Sequence, residues 1–339
     1  MNNQRTTGTQ PEQTNERNNM RTSHQRSLWA ALLALMMLLA ACGGTDAADT
    51  TAVAEEDAPL ALETTTTVAA VTTVAEEAPA TTATEVAFDL VAAVDARVST
   101  IPEGWMAVGD ITAFKDAMTA GDPVVIDVRE ESEYAEGHIP GAVNIPIRTL
   151  AQSTNLIPTD QQVWIYCASG WRAGMATSSL RMMGYDNVSA FPPGWAGWTE
   201  AGEAVETTAN EAADFGDPGL NTDMVAAVDG FLSTVPEGFL VVKTIDEVKD
   251  AVDNGGVQLV DVREGAEYTE GYILDAMNTS VRTLANAADV PADTPIIVYC
   301  QSGWRASLST AVLGVLGYDV RGFPGSFNAW VEAGEAVTT

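Results

Sequence analysis

Positive charge and histidine are what this chain has least of. Against 47 Asp and Glu stand 16 Lys and Arg, and there are two histidines in 339 residues. A net charge of −31 argues against nucleic acid as a partner, because a phosphate backbone needs clustered Lys and Arg. It fits a self-repelling protein outside the cytoplasm. Four of the cations, Arg5, Arg17, Arg21 and Arg26, precede the first apolar run, which leaves twelve for everything after it. His24 also precedes that run, so His138 stands alone beyond it, and one histidine cannot seed a His-based metal cluster. No metal is expected. The absence of a phosphate-binding glycine loop likewise gives no sign of a nucleotide or flavin, and no cofactor is expected. Cysteine is scarce too, with three in all: Cys42, Cys167 and Cys300.

The ends of the composition are easier to read than the middle. Leu28–Ala41 is wholly apolar and follows Arg21 and Arg26; at 14 residues it is short for a membrane span but suits a signal-peptide core. It runs into Leu39-Ala40-Ala41-Cys42-Gly43, which resembles a bacterial lipobox. Residues 1–41 are therefore expected to be a lipoprotein-type signal peptide. Cys42 would be the lipid-attachment site, acylated with a fatty chain such as palmitate, and the protein would be held at the outer side of the cell membrane. The rival is an ordinary secretory signal, and Met20 competes with Met1 as the start. Residues 42–87 are rich in Thr, Ala, Glu and Pro, with no aromatic residue before Phe88. Such a stretch buries too little to offset its ordering entropy and reads as a disordered tether.

Beyond residue 87 the chain is a duplication. Val91–Asp95 recurs as Val225–Asp229, Pro102-Glu103-Gly104 as Pro236-Glu237-Gly238, Asp127–Glu130 as Asp261–Glu264, and Arg148–Ala151 as Arg282–Ala285. The stretch from Tyr166-Cys167 to Ala173 recurs from Tyr299-Cys300. Repeats of this length are domain-sized. We expect domains at 88–206 and 221–339, joined by an acidic linker at 207–220. In each, short apolar runs alternate with helical patterns. Val124–Val128 and Val163–Tyr166 read as buried strands, and Ala173–Met183 as a helix closed by Gly184; Gln258–Val262, Ile296–Tyr299 and Ala306–Leu316 are their counterparts. That alternation predicts an α/β fold: a mainly parallel sheet with helices on both faces, and a site at the carboxyl ends of the strands.

Cys167-Ala168-Ser169-Gly170-Trp171-Arg172 lies at such an end, as does Cys300-Gln301-Ser302-Gly303-Trp304-Arg305. A cysteine between strand and helix faces backbone N–H groups and the positive end of the helix dipole, which favour thiolate. Gly170 and Gly303 permit the tight backbone, and the arginines add a forked donor for an oxyanion. Taken singly, a cysteine in this position is more often a small buried hydrophobe.

Cys-x-x-Gly-x-Arg after a strand resembles the active-site loop of rhodanese sulfurtransferases. So do Asp127-Val128-Arg129, Glu133-Tyr134, Gly137-His138-Ile139-Pro140-Gly141-Ala142, Asn144-Ile145-Pro146 and the Gly194–Trp198 turn. The resemblance covers about residues 103–205 and 237–337. It implies sulfur transfer through a cysteine persulfide, with Cys167 and Cys300 as nucleophiles. Arg172, Arg305, Ser169, Gly170, Ser302 and Gly303 would bind the donor, and Asp127, Arg129, Asp261 and Arg263 would support the loop. Partners would be small anionic sulfur donors such as thiosulfate, with thiol or cyanide acceptors; the oligomeric state is left open.

Around this core several readings stay open. Arg148 and Arg282 read as solvated helix starts, with a place on the pocket rim as the alternative, His138 as a turn residue replaced by Tyr272, and Trp171 and Trp304 either as pocket walls or as packing on the sheet. The second copy departs from the pattern at Tyr272-Ile273-Leu274-Asp275-Ala276 and Asn278-Thr279-Ser280, so equal activity in the two copies is not implied. The alternatives are a phosphatase of related fold, whose loop carries one more residue, a tethered binding or persulfide-sensing module without turnover, and a structural Cys167–Cys300 disulfide.

Overall fold

Asp89 sets the start of the first helix: its carboxylate accepts from Ala92 N and caps α1 (Leu90–Val98). The computed structural model describes residues 87–339. The expected signal peptide, Cys42 and nearly all of the expected tether lie outside those residues. In the first repeat α1 is followed by α2 (Ile111–Thr119), β1 (Val124–Asp127), α3 (Glu131–Glu136) and β2 (Val143–Asn144). A 3₁₀ segment at Ile147–Leu156 leads to β3 (Val163–Tyr166), α4 (Trp171–Met183), β4 (Val188–Ala190) and α5 (Gly194–Glu200). The second repeat restates this order as α6 (Thr222–Leu232), α7 (Ile245–Asp253), β5 (Gln258–Asp261), α8 (Gly265–Glu270), β6 (Tyr272–Ile273) and β7 (Met277–Asn278). After a 3₁₀ turn at Val281–Asn286 come β8 (Ile296–Tyr299), α9 (Trp304–Val315), β9 (Val320–Gly322), α10 (Ser326–Glu332) and β10 (Val337–Thr338).

Each repeat carries a four-stranded parallel sheet, ordered β2-β1-β3-β4 and β7-β5-β8-β9. Apolar residues on successive positions of a strand must point to opposite faces, and here both faces are covered. Ile126, Val163 and Ile165 join a core shared by the two repeats, together with Leu180, Val228, Val260 and Leu313. Val125, Trp164 and Tyr166 face the other way, onto Phe114, Phe191 and Trp198. The second repeat has its own outer cluster around Val248, Leu259 and Tyr299. The predicted α/β fold with parallel sheets is the observed one, and the central strands fall within a residue of the expected bounds.

The join between the repeats is not a clean break. The expected linker is bonded to the first repeat: Asn210 N donates to Tyr134 Oη, Asn210 Nδ2 to Ala142 O, and Phe215 N to Asn155 O. More consequentially, the first helix of each repeat reaches across to the other while still touching its own long helix, α1 on α4 and α6 on α9. α1 packs on the 3₁₀ turn at Val281–Asn286, and α6 on the 3₁₀ segment at Ile147–Leu156. Between them α4 and α9 cross, nearly all of their residues buried. The crossing is tight enough that a Cβ on Gly174 would lie 1.8 Å from Ser307 Oγ, so small residues there set how closely the helices approach.

Candidate active site

The geometry of the cysteine loop begins with its glycine. Gly170 takes φ +92 and Gly303 φ +96, a region open to residues without Cβ, and each becomes the N-cap of the following helix. No capping side chain is present there. Instead the cap amide turns back onto sulfur. Gly170 N lies 3.2 Å from Cys167 Sγ, and Gly303 N 3.1 Å from Cys300 Sγ. Both cysteines are 1% exposed, and both are free, which removes the Cys167–Cys300 disulfide. Ser169 and Ser302 stand exposed on the outer edge of the loops. With Gly170, Trp171, Gly303 and Trp304 they line one cavity of about 460 Å³ that both loops share and that no titratable side chain enters.

Arg172 and Arg305 are in the expected place but not free. Arg172 Nη1 and Nη2 fork onto Glu133, and Arg305 onto Glu267 at 2.6 and 2.7 Å. The carboxylates are held in turn by capping boxes, through Glu130 N at 3.0 Å and Glu264 N at 3.1 Å. A bidentate pair of this kind is strong and geometrically specific. For Arg172 burial alone would lower the pKa, yet the Glu133 hydrogen bond and the charges of Cys167 and Glu133 outweigh it and the net direction is upward. Glu133 is shifted below its ordinary 4.5, first by the Arg172 hydrogen bond, against burial, and helped by Glu130 N; Glu267 behaves alike. The sequence reading missed both glutamates as partners, although they sit at the same offset of 134 as the rest of the duplication.

A depressed carboxylate stabilises the fold above its unfolded pKa and loses that contribution as pH falls through the folded value. Thermal midpoints should therefore hold from neutrality to about pH 5 and then drop below about pH 4.5, with a shallower drop in a Glu133→Gln, Glu267→Gln variant. Parallel slopes in the two proteins would show that these pairs do not control the acid limb.

Asp127 and Arg129 form a buried pair, 0% and 3% exposed. Arg129 Nε reaches both carboxylate oxygens at 3.0 and 2.9 Å, its Nη2 reaches Oδ2 at 2.6 Å and Gly137 O at 2.7 Å. Asp261 and Arg263 repeat the arrangement, with Gly271 O in place of Gly137 O. Their link to the loop runs through aromatic rings. Arg129 lies 4.8 Å from the Trp195 ring, and Trp195 N donates to Cys167 O at 2.8 Å. Arg263 lies 4.1 Å from Phe327, whose N donates to Cys300 O at 3.0 Å, and it also contacts Gln301 Oε1 at 3.3 Å.

Two expectations change, and one open reading falls to the cavity wall. Arg148 and Arg282 are not solvated helix starts: Arg148 Nε donates to Val235 O at 2.7 Å and Arg282 Nε to Ile101 O at 2.8 Å, each across the repeats. Each also pairs with a glutamate of its own repeat, Glu130 and Glu264. Both carbonyls lie three residues past the last residue of the first helix of the opposite repeat. Trp171 and Trp304 serve the repeat interface as well as the cavity, because their indole N–H groups donate to Phe239 O and Trp105 O, both at 2.8 Å. His138 is fully buried, stacked on Tyr134 at 3.7 Å and bridged by backbone to Glu206. It fixes the end of the first domain rather than merely turning the chain.

One difference between the copies falls directly on the backbone of the cysteine. Gly194 has φ 58, and a Cβ there would sit 2.3 Å from Cys167 O. Its counterpart is Ser326, also left-handed at φ 53 and fully buried. The Ser326 hydroxyl accepts from Cys300 N at 3.1 Å, donates to Phe323 O at 2.8 Å and lies 3.9 Å from Cys300 Sγ.

The sequence pattern of the rhodanese-like domain matches residues 110–201 and 244–333, together more than half of the chain. The chain belongs to the rhodanese-like family. Among relatives of these rhodanese-like domains, YrkF of Bacillus subtilis, named as a candidate sulfur carrier, is 33% identical over 104 residues; the match spans 30% of this chain and 54% of YrkF. A sulfurtransferase of Allochromatium vinosum is 35% identical over 81 residues, spanning 24% of this chain and 76% of that protein. The crystal structure of SseA from Escherichia coli, a 3-mercaptopyruvate sulfurtransferase by its description, aligns over 66% of this chain and 98% of its own, with 22% identity and a TM-score of 0.34.

Proposed function

We propose that the protein is an extracytoplasmic sulfurtransferase, of the thiosulfate:cyanide type, in which Cys167 and Cys300 carry sulfane sulfur as persulfides. The observation that carries this reading is the amide of Gly170 on Cys167 Sγ at the start of α4, restated by Gly303 on Cys300 Sγ. A sulfur anion placed there meets an N–H donor and a helix N-terminus, which suit both the attacking thiolate and the persulfide anion it becomes. The thiolate attacks the outer sulfur of thiosulfate; a Cys–S–S⁻ bond forms, the S–S bond of the donor breaks, and sulfite leaves with the electron pair. A persulfide donor, R–S–S⁻, would leave as R–S⁻ by the same step. Cyanide or a thiolate then takes the terminal sulfur and returns the thiolate, closing a two-step cycle. Asp127, Arg129, Asp261 and Arg263 position the loop. The apolar run ending at Cys42 supports placing the enzyme outside the cytoplasm on a lipid anchor.

Burial of both thiols favours a second reading, a persulfide-sensing module that loads sulfur without turning over. One experiment separates the two. Incubated with thiosulfate or a persulfide, the protein should gain about 32 Da at each of Cys167 and Cys300, and cyanide should remove it. Cys167→Ser and Cys300→Ser should each abolish one increment, and the double variant both. Loading without release to cyanide or thiol would favour the sensor, and no loading from either donor would sink both.

A further inference from the structure

Each repeat carries a strained turn just after its first helix. Gly104, Trp105 and Met106 have φ of 85, 57 and 55, and Gly238, Phe239 and Leu240 have 87, 53 and 58. Left-handed backbone is costly for a residue bearing a Cβ, and such strain persists only where surrounding contacts over-determine it. Those contacts come from the opposite repeat. The indole of Trp171 holds the carbonyl of Phe239, and that of Trp304 holds the carbonyl of Trp105.

The ring on each turn then lies on the arginine next to that tryptophan. Phe239 stands 4.6 Å from the Arg172 guanidinium and 4.8 Å from that of Arg148. Trp105 stands 5.1 Å from Arg305 and 4.0 Å from Arg282. Arg172 thus has its edge on Glu133 and a face under a ring from the other repeat. Beside Phe239 opens a cleft of about 520 Å³, walled also by Glu130, Arg148 and Glu237, while Cys167 itself is 1% exposed.

We propose that the two sites are screened crosswise: Phe239 determines which sulfur donors reach Cys167, and Trp105 which reach Cys300. The proposal builds on the sulfur-transfer reading and assigns it a substrate class. Compact donors pass, and donors with a large organic carrier are held back.

The test uses the full chain with Cys42→Ser, to which Cys300→Ser is added to report Cys167 or Cys167→Ser to report Cys300. Persulfide formation is followed by intact mass with thiosulfate as the compact donor and glutathione persulfide as the bulky one. Phe239→Ala should raise the bulky-to-compact rate ratio at Cys167 by on the order of tenfold and leave the ratio at Cys300 unchanged. Trp105→Ala should do the reverse. Phe239→Leu and Trp105→Phe, which keep volume in the turn, should move the same ratios in the same directions by less. The crossing is also read by alkylation with iodoacetamide against a bulky maleimide, which requires no sulfur transfer. Each substitution acting on the cysteine of its own repeat, on both equally, or on neither would overturn the screen. Crossed alkylation without any persulfide would keep the screen and discard the sulfur-transfer reading.

Discussion

Replacing Asp127 by alanine should cost the fold about 3–5 kcal/mol, the penalty for leaving a buried partner charge uncompensated. Arg129 is 3% exposed and spends its Nε and Nη2 on Asp127, apart from one bond to Gly137 O. Its backbone N also donates to Asp127 Oδ1 at 2.9 Å. With the carboxylate gone, a guanidinium remains where water cannot reach it. Substituting both members, Asp127→Leu with Arg129→Met, should be markedly less damaging, because desolvating two charges cancels much of what their attraction returns. Denaturant unfolding of the single and double variants decides the matter. Equal losses would mean that the carboxylate acts through its bond to the Arg129 amide and not through charge.

Gly170→Ala should silence Cys167 and spare Cys300. At φ +92 any side chain is strained, and here the Cβ would lie 2.6 Å from Pro192 O, a backbone atom that cannot swing aside. The loop must shift, and its amide leaves Cys167 Sγ. Loss of one such preorganised donor lowers rates by roughly 10²–10³ where charge develops on the reacting atom. Persulfide labelling at each cysteine reads the outcome, and Gly303→Ala, whose Cβ would lie 2.4 Å from Pro324 O, should give the mirror image. Full reactivity at Cys167 in the Gly170 variant would show that the amide contact is incidental.

What was legible in the sequence is what neighbouring residues decide. The strand ending at Tyr166, the glycine that lets the chain turn at 170, and the helix closed by Gly184 are set by local patterns of burial and backbone freedom. The Asp127 and Arg129 pair is two residues apart and was read as loop support. The Glu133 fork on Arg172 spans 39 residues, and it was invisible because nothing local fixes where a glutamate side chain will reach; only its recurrence as Glu267 hinted at a role. Phe239 and Trp105 were hidden more deeply. Their contacts depend on α1 and α6 crossing to the other repeat, and periodicity shows that a helix buries a face without showing on whose body. Ser326 in place of Gly194 is a single-letter change whose meaning needs the 3.1 Å to Cys300 N.

The exchange of first helices also bears on ancestry. Every contact described from the first repeat to the second has a counterpart running back: Arg148 to Val235 and Arg282 to Ile101, Trp171 to Phe239 and Trp304 to Trp105. Near the crossing, Gly174 meets Ser307, its own equivalent. That is the rule of an isologous interface, in which one patch is complementary to itself under a two-fold rotation. A lone repeat with this sequence would possess both halves of the contact and would satisfy them by pairing with a second copy. The tandem chain is in effect a homodimer written once, and joining its halves freed the two copies to differ at 194 and 326.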